Sequence, residues 1–442
     1  MCFYAAVHIV PFSRNTGFPE RKNQFLCVQI SLLADVTQVN INGFLSEGHK
    51  LIRFDDLFIP IAISYYTFQS VSYIIDVYRD KQAAQRNFFK YLLFVTFFPQ
   101  MVQGPISRYG DLGKHLFEPH PFAGKTVSYG LMRILWGYFK KVVIADRLVT
   151  AVIALAGGEA YTGAYVLITM LFYAFQLYCD FTGGIDITIG IAQTLGIPLA
   201  ENFILPYFSK NIKEYWNRWH ITMGTWFTDY IFYPISVCKP MLKLSKWSRE
   251  HLGSAVGKRV TVYLSSFAVW FTTGIWHGAA WNFIVWGIVN WVVIMASQEL
   301  EPLYDKFHSK FHLKGKLPYE IFQIIRTVLL MSAIRMFDVY RNVPMTFSRL
   351  FSIFTTWNWG DVFGGSMLQL GLGAHDYILL AVGLAIVLGV SLCKLKLGSV
   401  RDALYSKKPL FFLLMGLLFV GILIFGAYGI GFDSSGFIYN QF

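Results

Sequence analysis

LPYFSKNIKEYWNRWHITMGTWFTDYIFYPI (205–235) and FTTGIWHGAAWNF (271–283) decide how the rest of the chain is read. Each holds one histidine among tryptophans. Trp216, Trp219 and Trp226 surround His220, and Trp276 and Trp281 surround His277, 57 positions further on. The first stretch is too polar and too broken for an ordinary spanning helix, which needs about 20 apolar residues. The second sets a titratable ring between two strongly apolar runs. An ionisable side chain at membrane depth is expensive to bury, and so marks a functional site by default.

The surrounding composition is that of a membrane protein. The 442 residues are 55% hydrophobic, 18% aromatic and 14% charged, with a mean hydropathy of +0.46. Soluble domains carry roughly 25% charged residues, so a chain this long with this little charge is an all-α polytopic membrane protein. The net charge of +12 does not point to nucleic acid. Most Lys and Arg lie in short loops between apolar runs, where they set topology. Five scattered cysteines include no CxxC pair, so neither a disulfide framework nor a metal site is indicated. Cys179 is expected to pack as a small hydrophobe.

Along the chain, residues 1–50 are atypical, with a polar PFSRNTGFPERKNQ after a mildly apolar start. Residues 51–442 are expected to form one transmembrane domain. Spans are predicted from Leu57 to Val77 and from Leu131 to Ala156, where Arg133, Lys140, Lys141 and Arg147 can snorkel if the helix is strongly tilted or partly interfacial. Phe88–Ile106 is apolar but broken by Pro99, Gly104 and Pro105. Tyr165–Phe181 is apolar, and the glycine-rich run 183–199 with Asp186 is expected to pack on protein rather than lipid. Further spans are predicted at 260–275, 279–295, 321–337, 377–392 and 410–426. Loops 238–259, 302–316 and 394–408 carry six, four and five basic residues, whereas 338–375 carries two and 427–442 none. The positive-inside rule puts the first three loops in the cytoplasm and the Trp276–Gly278 turn toward the outer side.

His277 is flanked by Gly274, Gly278, Ala279 and Ala280, which leaves room for a substrate or another backbone. Neutral imidazole is the usual general base near pH 7, and burial keeps it neutral. The plainer alternative is a packed histidine bonded to a carbonyl. For His220, helical spacing puts Trp216 and His220 on a shared face, and likewise Trp219 and Trp226. Glu214 and Arg218 are placed to pair. The alternative there is an interfacial amphipathic helix anchored by its aromatics. Asp229 and Asn282 gain interest as neighbours of the two histidines. No GxSxG, P-loop, GxGxxG or HExxH motif occurs.

Six segments resemble the membrane-bound O-acyltransferase family, in its bacterial branch of alginate O-acetylation and teichoic acid D-alanylation proteins. They are ISYYTFQSVSYIIDVYR (63–79), FFPQMVQGPISRY (97–109), GYFKKVVIADRL (137–148), NFILPYFSKNIKEYWNRWHITMGTWFTDYIFYPI (202–235), GIWHGAAWNFIVWG (274–287) and GFIYNQF (436–442). The stretch LMSAIRMFDVYRN (330–342) departs from the family's aromatic-Arg pattern. The resemblance implies a ring of tilted transmembrane helices, with re-entrant or interfacial helices around a central tunnel. It implies His277 as principal catalytic histidine and His220 as the second. Trp276, Asn282, Trp219, Arg218 and Asp229 then line the substrate path. No bound cofactor or metal is expected. An acyl thioester, either acetyl-CoA or an acyl-phosphopantetheinyl carrier, serves as donor from the cytoplasm. A hydroxyl of an extracytoplasmic polysaccharide or acceptor acyltransferase receives the acyl group, acetyl first. The expected location is a bacterial inner membrane, with lipid around the chain and no nucleic acid partner. The competing class is a transporter or flippase of a cell-envelope polymer precursor, since broken helices and mid-membrane polar residues also occur there. The blandest option is a non-catalytic envelope scaffold.

Overall fold

The computed structural model describes residues 63–428 apart from Ala279. The atypical stretch 1–50, the first residues of the Leu57–Val77 span and the terminal GFIYNQF motif lie outside the described residues. Among those described, helices make up the fold, and the one strand-like feature is an isolated bridge between Phe203 and Trp219. Among the described residues, five helices are long and apolar enough to cross a membrane: Ala164–Thr194, Trp281–Glu299, Leu317–Tyr340, Ala374–Leu397 and Lys408–Phe425. The protein is an all-α, polytopic membrane protein. Its described residues divide into two compact units. One takes Phe227–Pro302 and Arg341–Val343; the other takes 63–226, Leu303–Tyr340 and 344–428.

The larger unit is built on Ala164–Thr194, 31 residues long. The apolar run 165–181 and the glycine-rich run 183–199 join in this one helix up to Thr194. Glycine in a helix costs about 1 kcal/mol relative to alanine, and here close packing offsets it. Gly183 and Gly190 meet Gly137 and Gly130 of the Gly124–Tyr138 helix. A Cβ on Gly190 would lie 2.8 Å from the Gly130 carbonyl oxygen, and one on Gly137 would lie 2.5 Å from that of Gly183. The run is packed on protein, as its small residues suggest.

The predicted Leu131–Ala156 span is three pieces: Gly124–Tyr138, a π-helical segment Phe139–Ala145 and Asp146–Gly157. Its four basic side chains each have a carboxylate partner within the protein. Arg133 Nε donates to Asp186 at 2.8 Å, and its two terminal nitrogens grip Glu201 at 2.6 and 2.7 Å. Lys140 donates to Asp186 and Thr182, both at 2.7 Å. Lys141 sits 2.5 Å from Asp146 and 2.8 Å from Asp180. Arg147 pairs with Asp376 at 2.9 Å. A cavity of about 80 Å³ lies beside Arg133, Lys140 and Asp186. Pro99 and its neighbours break 88–106 into Phe88–Val95 and Phe98–Met101. Cys179 is fully buried in the apolar core with Ile144 and Leu148.

The smaller unit is a glycine-closed helical hairpin. Ser254–His277 packs on Trp281–Glu299. Gly274 makes the approach possible, since a Cβ there would lie 2.6 Å from the Phe283 carbonyl oxygen. The basic helix Lys239–Leu252 lies along Ser254–His277, where Ser245 Oγ donates to the Gly257 carbonyl at 3.1 Å.

Candidate active site

His277 is the last residue of its helix, and Gly278 follows in an extended conformation. The turn closes through the Gly278 N–H, which donates to the Ile275 carbonyl at 3.2 Å. Three aromatic rings wall the imidazole. Trp286 meets it edge-to-face with centroids 4.7 Å apart, Trp276 lies at 4.8 Å, and Phe283 is near-parallel at 6.5 Å. Trp286 is completely buried, so this wall is fixed by the core. Of the two uses expected for the flanking glycines, the structure shows protein packing: Gly274 admits the Phe283 backbone and Gly278 admits the Phe283 ring. The ring of His277 itself is half-buried. Asn282 is buried on the first turn of the next helix. Asp229, half-buried, lies on a π-helical segment, Thr228–Phe232, that packs against Ser254–His277 in the same unit.

His220 lies in the other unit and is built differently. The helix expected through this segment breaks. Ile212–Arg218 ends, Trp219 is extended, His220 takes a left-handed φ of 49°, and a new helix begins at Ile221. The shared helical faces read from spacing are therefore not formed. The cause is a non-local strap at 202–204. The Ile204 N–H donates to the Arg218 carbonyl and the Ile221 N–H to the Asn202 carbonyl, both at 3.0 Å. Left-handed conformations are uncommon for residues with a Cβ and persist where surroundings over-determine them. The tryptophans are not lipid anchors: Trp219 and Trp226 are 2% and 3% exposed, and Trp226 Nε1 donates to the Phe68 carbonyl at 3.0 Å. The Glu214–Arg218 pair forms as expected, at 2.5 Å.

Asn202 fixes the tautomer of His220. Its Oδ1 accepts from the Thr222 amide and the Thr222 hydroxyl, each at 3.0 Å. An amide N–H only donates, so the side-chain atom there is the oxygen. His220 Nδ1 lies 3.3 Å from the same oxygen and therefore carries the ring proton. Nε2 is left as the basic nitrogen. Phe181 stands edge-on to the ring at 4.9 Å, and Phe203 is tilted over it at 6.3 Å. Burial first, and the Arg335 guanidinium second, hold the His220 pKa well below the ordinary histidine value. The ring is neutral at pH 7.

Asn202→Ala is expected to lower the thermal unfolding midpoint of the detergent-solubilised protein. Each buried donor left without its acceptor costs about 1–3 kcal/mol. A midpoint equal to wild type would contradict the hub role of Asn202.

The structure thus groups His277, Trp276, Asn282 and Asp229 in one unit and His220, Trp219 and Arg218 in the other. Sequence reading missed Asn202, Trp286, Arg335 and Asp338. The last two had a signal: an Arg and an Asp three apart within an otherwise apolar helix.

A family model described as MBOAT, membrane-bound O-acyltransferase family, matches residues 56–340. The chain belongs to that family. Among curated proteins it is 37% identical over 263 residues to a probable alginate O-acetylase of Pseudomonas syringae pv. tomato, an alignment covering 58% of this chain and 45% of that protein. It is 32% identical over 281 residues to a peptidoglycan O-acetyltransferase of Helicobacter pylori, covering 57% and 50% respectively. It is 29% identical over 326 residues to a teichoic acid D-alanyltransferase of Bacillus subtilis, covering 70% and 77%. The chain spans about half the length of the alginate O-acetylase relatives it matches.

Proposed function

We propose that this chain transfers a short acyl group, acetyl first, from a cytoplasmic thioester to a hydroxyl of an extracytoplasmic polysaccharide or acceptor protein. The observation that carries the reading is His277: a half-buried imidazole at a helix end, walled by Trp276, Trp286 and Phe283. A neutral imidazole so held can take the acceptor hydroxyl proton as the oxygen attacks the thioester carbonyl. The tetrahedral oxyanion then collapses, the carbon–sulfur bond breaks, and the leaving thiolate recovers the proton from the imidazolium. Products are an ester and a free thiol, with no net change in protons.

The oxyanion needs donors aimed at it. Neutral His220 with its proton on Nδ1 offers an acceptor at Nε2, not a donor. It suits a partner that brings a hydrogen of its own. Asn282 and the Trp276 indole N–H supply donor chemistry instead. The basic segments 238–259 and 394–408 suit an acidic donor, whether coenzyme A or a phosphopantetheinyl carrier. Bacterial inner-membrane residence and lipid contact follow from the same reading.

The test is the O-acyl content of envelope polysaccharides from cells with and without the chain. One polymer is expected to lose its O-acyl groups when the chain is absent, and that polymer is the acceptor. Unchanged acylation of every envelope polymer would contradict the reading.

A further inference from the structure

The helix Leu317–Tyr340 carries an ion pair in its buried face. Arg335 Nη1 lies 3.2 Å from Asp338 Oδ2, and the two side chains are only 8% and 10% exposed. Their neighbours Met331, Ser332, Met336 and Phe337 are equally buried, so the pair points into protein and not into lipid. Two charges in such a place are costly to desolvate. A hydrophobic pair of similar volume is often as stable or more so. Stability alone therefore does not account for the pair.

Its surroundings supply a reason. The guanidinium carbon lies 5.3 Å from the Trp219 ring centroid and 5.7 Å from that of Trp216. Trp219 is stacked in turn on Tyr215, with centroids 5.6 Å apart and ring planes within 12°. Tyr207 extends the stack, 6.2 Å from Trp219 and anchored by its hydroxyl, which donates to the Ala174 carbonyl at 2.6 Å. The residue after Trp219 is His220, in its left-handed turn. A planar cation over an indole is attracted by the ring and fixes its plane, which a lysine ammonium does less well.

We propose that Arg335, oriented by Asp338, is a positioning residue for acyl transfer: it clamps the Trp216–Trp219 wall and so fixes the turn that aims His220. This rests on the acyltransferase reading above, together with the role of second catalytic histidine that the family resemblance implies for His220. Arg335 touches no substrate and acts through Trp219.

The experiment measures kcat and donor KM for acetyl transfer by the full chain in proteoliposomes, for wild type, His277→Ala, Arg335→Lys and the double variant Arg335→Met/Asp338→Leu. The double variant removes both charges together, so that no buried charge is left unpaired. It is expected to keep the wild-type unfolding midpoint and KM while kcat falls about 10- to 100-fold, the scale of an ångström-level misplacement. Arg335→Lys keeps the ion pair and is expected to recover part of that loss. A double variant that is folded, with kcat within about twofold of wild type, would overturn the proposal while His277-dependent transfer left the acyltransferase reading standing. If the double variant does not fold, Arg335→Lys decides. A reduced kcat at unchanged KM supports the clamp, and wild-type kcat overturns it. Transfer that survives His277→Ala undiminished sinks the acyltransferase reading and the proposal with it.

Discussion

His277→Ala is expected to lower O-acylation of the envelope polymer about 10²- to 10⁴-fold, the range lost with a general base. The protein should still insert and fold. The imidazole sits at the end of Ser254–His277, and the hairpin is closed by Gly274, Gly278 and the Phe283 segment rather than by the ring itself. The measurement is polymer-bound acyl groups per cell at matched membrane abundance of the two proteins. Acylation within about threefold of wild type falls far short of the general-base range and would remove His277 from the chemistry.

The second large effect is on stability. Asp186 lies between Arg133 and Lys140 in the helix–helix interface of the larger unit, accepting from them at 2.8 and 2.7 Å. Lys140 is 4% exposed and Arg133 10% at the side chain. Asp186→Ala strips both cations of a shared partner. Breaking one side of a buried ion pair costs about 3–5 kcal/mol. Arg133 keeps Glu201, but Lys140 keeps the Thr182 hydroxyl and the Tyr178 ring and has no second carboxylate among the described residues. The unfolding midpoint in detergent should fall sharply, and the folded yield with it. An unchanged midpoint would show that water already screens these charges.

Those two predictions separate what composition and pattern reveal from what they hide. The low charge, long apolar runs and glycine-flanked His277 were readable because each is a local property. So was the break of 88–106 by proline, and the packing of 183–199 on protein. The ion pairs of Arg133 and Lys140 were not readable because their partners, Asp186 and Glu201, lie some 46–68 positions away. The His220 segment was misread as one helix for a similar reason. Its break at Trp219 is imposed by the strap at 202–204, and a helical wheel carries no information about a strap. Asn202 was invisible as a hub because its three donors converge only in the fold. Arg335 and Asp338 were visible as an anomaly, but their target, the tryptophan wall beside His220, was not.

The most direct test of the account is transfer of a labelled acetyl group by the purified chain in proteoliposomes. Thioester donor is supplied on the side of the basic loops and isolated envelope polysaccharide on the other. Wild-type protein should move label onto polymer hydroxyls with equivalent release of free thiol, and His277→Ala should not. Movement of polymer or precursor across the bilayer with no label transferred, or transfer indifferent to His277, would contradict it.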